Sequence, residues 1–341
     1  MNHFNRRDVL RMGAAAAAAP FFSAYGQGSE DKRLGIALLG LGDYATSRLG
    51  PALKQTRNAR LTGIVTGTPE KIPVWQKEYG IADGNVYNYQ NFDTIADNKE
   101  IDIVYVVTPT ALHPEFAIRA SAAGKHVICE KPMAPGVADC NRMIEAAKKV
   151  GKTLQIGYRL HWDPYHRHLM EAVAGKKFGD WKSITAFNAG IMTSFTGLNA
   201  WRIDKELGVA GALYDLGVYC VQAALYTARE NPVSVEARQV TDRPDIFKEV
   251  AETYEWFLEF ADGRKAEGMA SYGRKANHIR AKLGTGVIEI EPAYGYDGQK
   301  GKTPDGKMEF PAVNQQVLQI DGQVDAILTN VPSRVPGEMG C

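Results

Sequence analysis

The chain has 341 residues, 45% hydrophobic and 23% charged, an ordinary globular composition with enough mass for two cores rather than one. Forty Lys and Arg stand against 39 Asp and Glu, so no basic footprint argues for a nucleic-acid partner. Cys129, Cys140, Cys220 and Cys341 are widely spaced, with no CxxC pair and no zinc-like Cys/His cluster, so neither a metal nor an essential disulfide is expected.

Residues 1–26 do not read as part of a fold. Arg6, Arg7 and Arg11 form a basic head before the apolar run from Met12 to Ala24, which is too short and alanine-rich to span a bilayer as a stable insertion. Asn5-Arg6-Arg7-Asp8-Val9-Leu10 resembles a twin-arginine export signal, and Ala24-Tyr25-Gly26 offers a small-x-small cleavage site. The expectation is a precursor handled by export machinery and a mature protein in the periplasm.

A nucleotide-binding α/β unit is expected over residues 30–155. The buried run Leu34 to Leu39 leads straight into Gly40-Leu41-Gly42-Asp43-Tyr44-Ala45. Gly40 permits the turn, Gly42 lets the backbone approach a pyrophosphate, and Ala45 allows the following helix to pack closely, its first amides facing the phosphates. A second strand, Leu61 to Val65, ends in Thr66-Gly67-Thr68-Pro69-Glu70-Lys71. No acid stands at the strand end, where an NAD site places one on the ribose 2'-hydroxyl. Thr66, Thr68 and Lys71 instead suit a 2'-phosphate and favour NADP; an inward Glu70 leaves NAD open.

A third strand, Ile101 to Val107, ends in Thr108-Pro109-Thr110-Ala111-Leu112-His113, followed by a helix from Glu115 to Ala123 and a strand from His126 to Cys129. Repeated units of this length mean a parallel sheet with right-handed crossovers, whose ligands bind beyond the carboxyl ends of the strands. Thr108, Pro109 and His113 therefore become cofactor candidates, His113 with a helix-start role as the alternative. Glu130-Lys131-Pro132 ends the next strand, and Lys131 emerges at the same edge, where a lysine can polarise a sugar hydroxyl or carbonyl.

Past residue 156 the pattern changes, and a second domain is expected over 156–341. A helix over Pro164 to Ala174 precedes a strand from Trp181 to Asn188, a glycine-containing crossover and a helix from about Gly211 to Leu225. Strands follow at Val233–Thr241, Glu252–Phe260, Arg264–Tyr272, His278–Lys282 and Gly286–Ile290, with Asp262-Gly263 as a hairpin turn. Adjacent strands without helices between them predict a mostly antiparallel open sheet in an α+β domain. Asp215 and Tyr219, four residues apart, share one helix face.

Gly40 to Ala45, Glu130-Lys131-Pro132-Met133, Tyr158-Arg159-Leu160-His161, Trp201-Arg202 and Asp215-Leu216-Gly217-Val218-Tyr219 together resemble the Gfo/Idh/MocA family of sugar and inositol dehydrogenases. The nearest likeness is the branch of periplasmic glucose-fructose oxidoreductases, and it runs from about residue 30 to 340. The resemblance implies a tightly held NADP contacted by Gly40, Gly42, Asp43, Tyr44, Glu130, Arg159, Trp201 and Arg202, small-molecule sugar substrates and a homo-oligomer. One sugar would reduce the nucleotide and a second reoxidise it.

The resemblance also implies roles at the reacting centre. Tyr219 exchanges the proton, which requires positive charge nearby, and Lys131 is its natural supplier; Asp215 orients the sugar. Arg159, His161 and Arg202 are candidates for sugar hydroxyls or for holding the cleft walls, and Trp162 and Trp201 for stacking on a sugar face or for packing. The alternatives are a conventional dehydrogenase with exchangeable cofactor and a noncatalytic sugar-sensing protein. Two departures stand out: Gly208-Val209-Ala210-Gly211 replaces a triple-glycine run, and the chain stops at Cys341, before the helix expected to close onto the nucleotide domain.

Overall fold

The computed structural model describes residues 33–341, so the expected export signal lies outside the described residues. Six strands, β1 (Leu34–Leu39), β2 (Ala59–Val65), β3 (Val86–Tyr87), β4 (Ile103–Val106), β5 (His126–Cys129) and β6 (Leu154–Ile156), form a parallel sheet in the order β3-β2-β1-β4-β5-β6. Alternate residues of β1 feed two cores. Ile36 and Leu38 pack with Trp75 of α2 (Ile72–Tyr79), which follows the short α1 (Gly50–Leu53). Ala37 and Leu39 lie on the side of Phe116 of α3 (His113–Ala122) and Met143 of α4 (Val137–Lys149). Burial on both faces is why these strands read as continuous apolar runs.

The strand order reverses between β1 and β4, and the connections that follow their carboxyl ends leave for opposite faces of the sheet, the place where such folds form a crevice. Gly40 turns the chain at that point with φ +98°, and a Cβ on it would lie 2.9 Å from the Val107 carbonyl oxygen. No side chain fits this approach without displacing a strand end.

After α5 (Pro164–Ala174), capped by Asp163 accepting from the amides of Tyr165 and His166, the chain enters the second sheet. Its strands are β7 (Trp181–Ala189), β8 (Ser234–Val240), β9 (Thr253–Glu259), β10 (Lys265–Ser271), β11 (Ala276–Leu283), β12 (Val287–Ile290), β13 (Gly301–Thr303) and β14 (Gly306–Met308). The order is β14-β13-β12-β11-β7-β10-β9-β8, antiparallel throughout except for the parallel pair β7–β10. Between β7 and β8 run α6 (Lys205–Gly208) and α7 (Val218–Ala228); Cys220, Ala223 and Ala224 of α7 share a core with Ile184, Trp256 and Ile279 of the sheet.

The expected fold class is therefore the observed one: a Rossmann-like α/β part followed by an open, mostly antiparallel α+β part. An unforeseen helix, α8 (Gln315–Leu328), returns to the first sheet, placing Ile320 and Val324 in the core with Ile36 and Leu38. Asp321 on α8 accepts from the Arg57 and Asn58 amides at 2.9 and 3.3 Å, tying the helix to the approach to β2.

Candidate active site

A cleft of about 470 Å³ opens along the strand ends of the first sheet and against α7 of the second part. Gly40, Leu41, Gly42, Asp43 and Tyr44 line one end, with Thr66, Thr68 and Lys71 from the end of β2 and Thr108 and Pro109 from the end of β4. A Cβ on Gly42 would meet no atom within 4 Å, so its backbone faces open space where a phosphate can approach. Thr108 Oγ1 is buried without a protein partner, a hydroxyl placed to bond a ligand. Lys71 reaches across to the Leu41 carbonyl at 2.6 Å, bringing its charge to the glycine loop, while Glu70 does not line the cleft. These features fit a dinucleotide lying across the switch point.

Lys131, Asp215 and Tyr219 line the other end together with Glu130, Trp201, Arg202 and Tyr296. Lys131 Nζ donates to the Asp215 backbone oxygen at 2.8 Å and lies 3.5 Å from Asp215 Oδ1, with its ammonium 4.7 Å from the Tyr219 ring centroid. Burial works to lower the Lys131 ammonium, yet Tyr219, Asp215 and Glu130 together hold it above its ordinary value. Asp215 is the converse: burial favours its neutral form, but Lys131 and Arg202 keep its carboxyl below the usual range. Its Oδ2 accepts from Arg202 Nε at 2.9 Å and from the Tyr272 hydroxyl at 3.0 Å.

Asp215 and Tyr219 do meet the same cleft, though not as successive turns of a regular α-helix. Residues Leu213–Gly217 form a π-helical turn before α7, which widens the backbone at Asp215 and lets its carbonyl receive Lys131. Glu130 lies beneath: Tyr105 Oη donates to it at 2.7 Å, and burial raises its carboxyl, with Lys131 pulling the other way.

Several sequence candidates sit elsewhere. His113 does not line the cleft; its ring nitrogens lie 2.9 Å from the Pro132 oxygen and 2.8 Å from the Thr108 oxygen, so it staples two cleft-lining segments from behind, donating to one at a time when neutral. Burial lowers its ring below the ordinary value, in keeping with the neutral form. His161 is also buried away from the cleft, 3.3 Å from Gln222 Oε1, and burial brings it down to about 4. Trp162 packs on α8, where a Cβ at Gly322 would come within 2.2 Å of its Nε1.

Arg159 is buried behind Tyr219 and donates to the carbonyls of Tyr294 and Gly295 and to Gln315. Its guanidinium lies 5.0 Å from the Tyr219 ring centroid and 4.4 Å from that of Tyr296. It thus fixes the loop after β12 that delivers Tyr296, a cleft residue the sequence pattern did not single out. Tyr296 stacks on Tyr44 at 6.0 Å and is pushed up to about 12, chiefly by burial and then by Tyr219. Tyr89, Val107, Thr110, Gly197, Leu198, Ala200 and Leu207 complete the lining.

Residues 34–158 match the model of an oxidoreductase family with an NAD-binding Rossmann fold, and residues 166–290 match the GFO/IDH/MocA C-terminal domain. The chain belongs to the Gfo/Idh/MocA oxidoreductase family. A solved member, the aldose-aldose oxidoreductase from Caulobacter crescentus complexed with glycerol, is 38% identical with a TM-score of 0.86, covering 90% of this chain and 93% of that one. D-xylose 1-dehydrogenase [NADP(+)] of Haloarcula marismortui is 26% identical over 328 residues, which are 92% of this chain and 89% of that protein. The 3-ketoreductase KijD10 from Actinomadura kijaniata, solved with NADP and TDP-benzene, is 22% identical with a TM-score of 0.76 over 90% of this chain and 94% of its own, and shares the fold.

Proposed function

We propose that this Gfo/Idh/MocA oxidoreductase is a periplasmic NADP-dependent sugar oxidoreductase that oxidises an aldose to its lactone and passes the hydride to a second sugar through a nucleotide that stays bound. The observation that carries the reading is the convergence of Lys131, Asp215 and Tyr219 on a cleft continuous with the glycine loop. Thr66, Thr68 and Lys71 support NADP, and the relatives named for aldose and D-xylose substrates support a sugar. Bound there, the nucleotide supplies a hydride acceptor and, once reduced, a donor.

The chain's own groups handle the proton and the charge. The Tyr219 oxygen, as a phenolate, takes the proton of the anomeric hydroxyl in the first half-reaction, and the hydroxyl so formed returns it to the acceptor's carbonyl oxygen in the second. Lys131, held as an ammonium, stabilises the oxygen as negative charge develops on it. Asp215 has Oδ2 filled by Arg202 and Tyr272, which leaves Oδ1 to orient a sugar hydroxyl beside Lys131.

The test uses purified full-length protein, no added nucleotide, C1-deuterated glucose and a carbonyl sugar such as fructose. Deuterium should reach the reduced sugar as lactone forms, and Tyr219→Phe should suppress both halves while NADP stays bound. Protein that loses its nucleotide on purification and transfers deuterium only with fresh NADP is instead a conventional dehydrogenase.

A further inference from the structure

Two cysteines separated by about two hundred residues meet at the back of the first sheet. Cys140 lies on α4 with 4% of its surface exposed, and its Sγ is 4.0 Å from the Gly340 oxygen. Cys341 Sγ is exposed and lies 3.8 Å from Oδ1 of Asn141, the neighbour of Cys140. Burial first, and then the adjacent Cys341 thiol, push the Cys140 thiol up to about 11, so each sulfur is within the other's field.

The segment that carries Cys341 already braces the site. Ile156 N donates to the Val335 oxygen at 3.0 Å, Lys148 pairs with Glu338 at 2.7 Å, and Gln222 of α7 donates to the Met339 oxygen at 3.2 Å. A Cβ on Gly340 would come within 2.8 Å of Met133 Sδ, so this segment presses directly on the turn that bears Lys131. Its contacts join α4, β6, that turn and α7, the helix of Tyr219.

We propose that Cys140 and Cys341 are a disulfide pair that closes under oxidising conditions and fastens residues 335–341 behind Lys131. The oxidant is a disulfide. The exposed Cys341 thiolate attacks one of its sulfurs and expels a thiolate; the Cys140 thiol then loses its proton to water and attacks the Cys341 sulfur, expelling the second thiolate. Two protein thiols are oxidised and one disulfide is reduced to two thiols. The buried, weakly acidic Cys140 makes closure the slower step.

The experiment treats full-length protein with oxidised glutathione and reads intact mass, peptide map and unfolding temperature. The expected product is a monomer lighter by two hydrogens, with a peptide pair joining residues 140 and 341, formed at a rate independent of protein concentration and reversed by dithiothreitol. Its unfolding temperature should exceed that of the reduced protein by a few degrees, because the link closes a very long loop of the unfolded chain. Cys341→Ser, a change at an exposed position, should fold and show neither effect. A glutathione adduct that persists on Cys341, a disulfide-linked dimer, or a cross-linked monomer with an unchanged unfolding temperature would each overturn the proposal.

Discussion

Replacing Asp215 by Asn probes the charge arrangement most directly, because the amide keeps the shape and removes one charge. The carboxylate is 15% exposed at its side chain and sits between Arg202 at 2.9 Å and Lys131 at 3.5 Å. Breaking one partner out of a buried pair costs about 3–5 kcal/mol, and the access of water to this cleft lowers that to about 2–3 kcal/mol. Over roughly 300 residues such a loss lowers the unfolding temperature by about 4 °C near neutral pH. The folded Asp215 carboxyl is held below its ordinary value, so its contribution is present above the unfolded carboxyl value, about 4, and is lost as pH falls through the folded one. Thermal unfolding of both proteins from about pH 7 to pH 3 should show a constant gap at the upper end that narrows below about pH 4. Equal stability at neutral pH, or a gap that persists unchanged into acid, would refute an ionised, paired Asp215.

Lys71→Ala should weaken NADP by about tenfold and NAD little, since one charge near a 2'-phosphate is worth of the order of 1 kcal/mol in a solvent-open site; equal losses in calorimetric titration would remove Lys71 from the phosphate. Changing Arg6 and Arg7 together to Lys should leave precursor in the cytoplasm on cell fractionation, and unchanged periplasmic recovery would end the export proposal.

What the sequence disclosed is what local pattern controls. Strand β1 runs into Gly40 within one continuous apolar segment, and both its buried faces and the turn after it depend on neighbours in the chain. Tyr272 and Tyr296 were illegible for the opposite reason: one bonds Asp215 from the end of β10, the other enters on an irregular loop, and neither position has a period or spacing that points at the cleft. Helix α8 misleads in a further way. Gln315, Gln316, Gln319 and Gln323 are polar, yet all are buried, with Gln319 donating to Tyr105 Oη at 2.7 Å and Gln323 to the Ile156 oxygen at 2.9 Å. Amides bonded through their NH2 groups replace apolar side chains there, and hydrophobic periodicity cannot register them. The Cys140 and Cys341 pair escaped on the same ground, since sequence separation says nothing about two segments folded against one sheet edge.

The charge arrangement also narrows which group can move a proton in the proposed reaction. Lys131 is held above its ordinary value, so it stays an ammonium at neutral pH and has no lone pair with which to take a proton from a sugar. Asp215 is ionised, but two donors occupy one oxygen and Lys131 lies beside the other, and each of those cations opposes its protonation. Glu130 also lines the cleft, but its two oxygens already accept from Tyr105 Oη at 2.7 Å and from the Lys131 amide at 3.2 Å. Arg202 is a cation that its pairing with Asp215 reinforces. Tyr296 is pushed up to about 12, which makes its phenolate rare near neutrality. In the proposed reaction the proton is assigned to the Tyr219 oxygen, at the junction of the nucleotide cradle and the charged pair, on a ring with Lys131 and Arg159 cations 4.7 and 5.0 Å from its centroid. The other groups then act as fixed charges around one mobile proton, an arrangement that needs no reorganisation as the sugar oxygen changes charge in either direction.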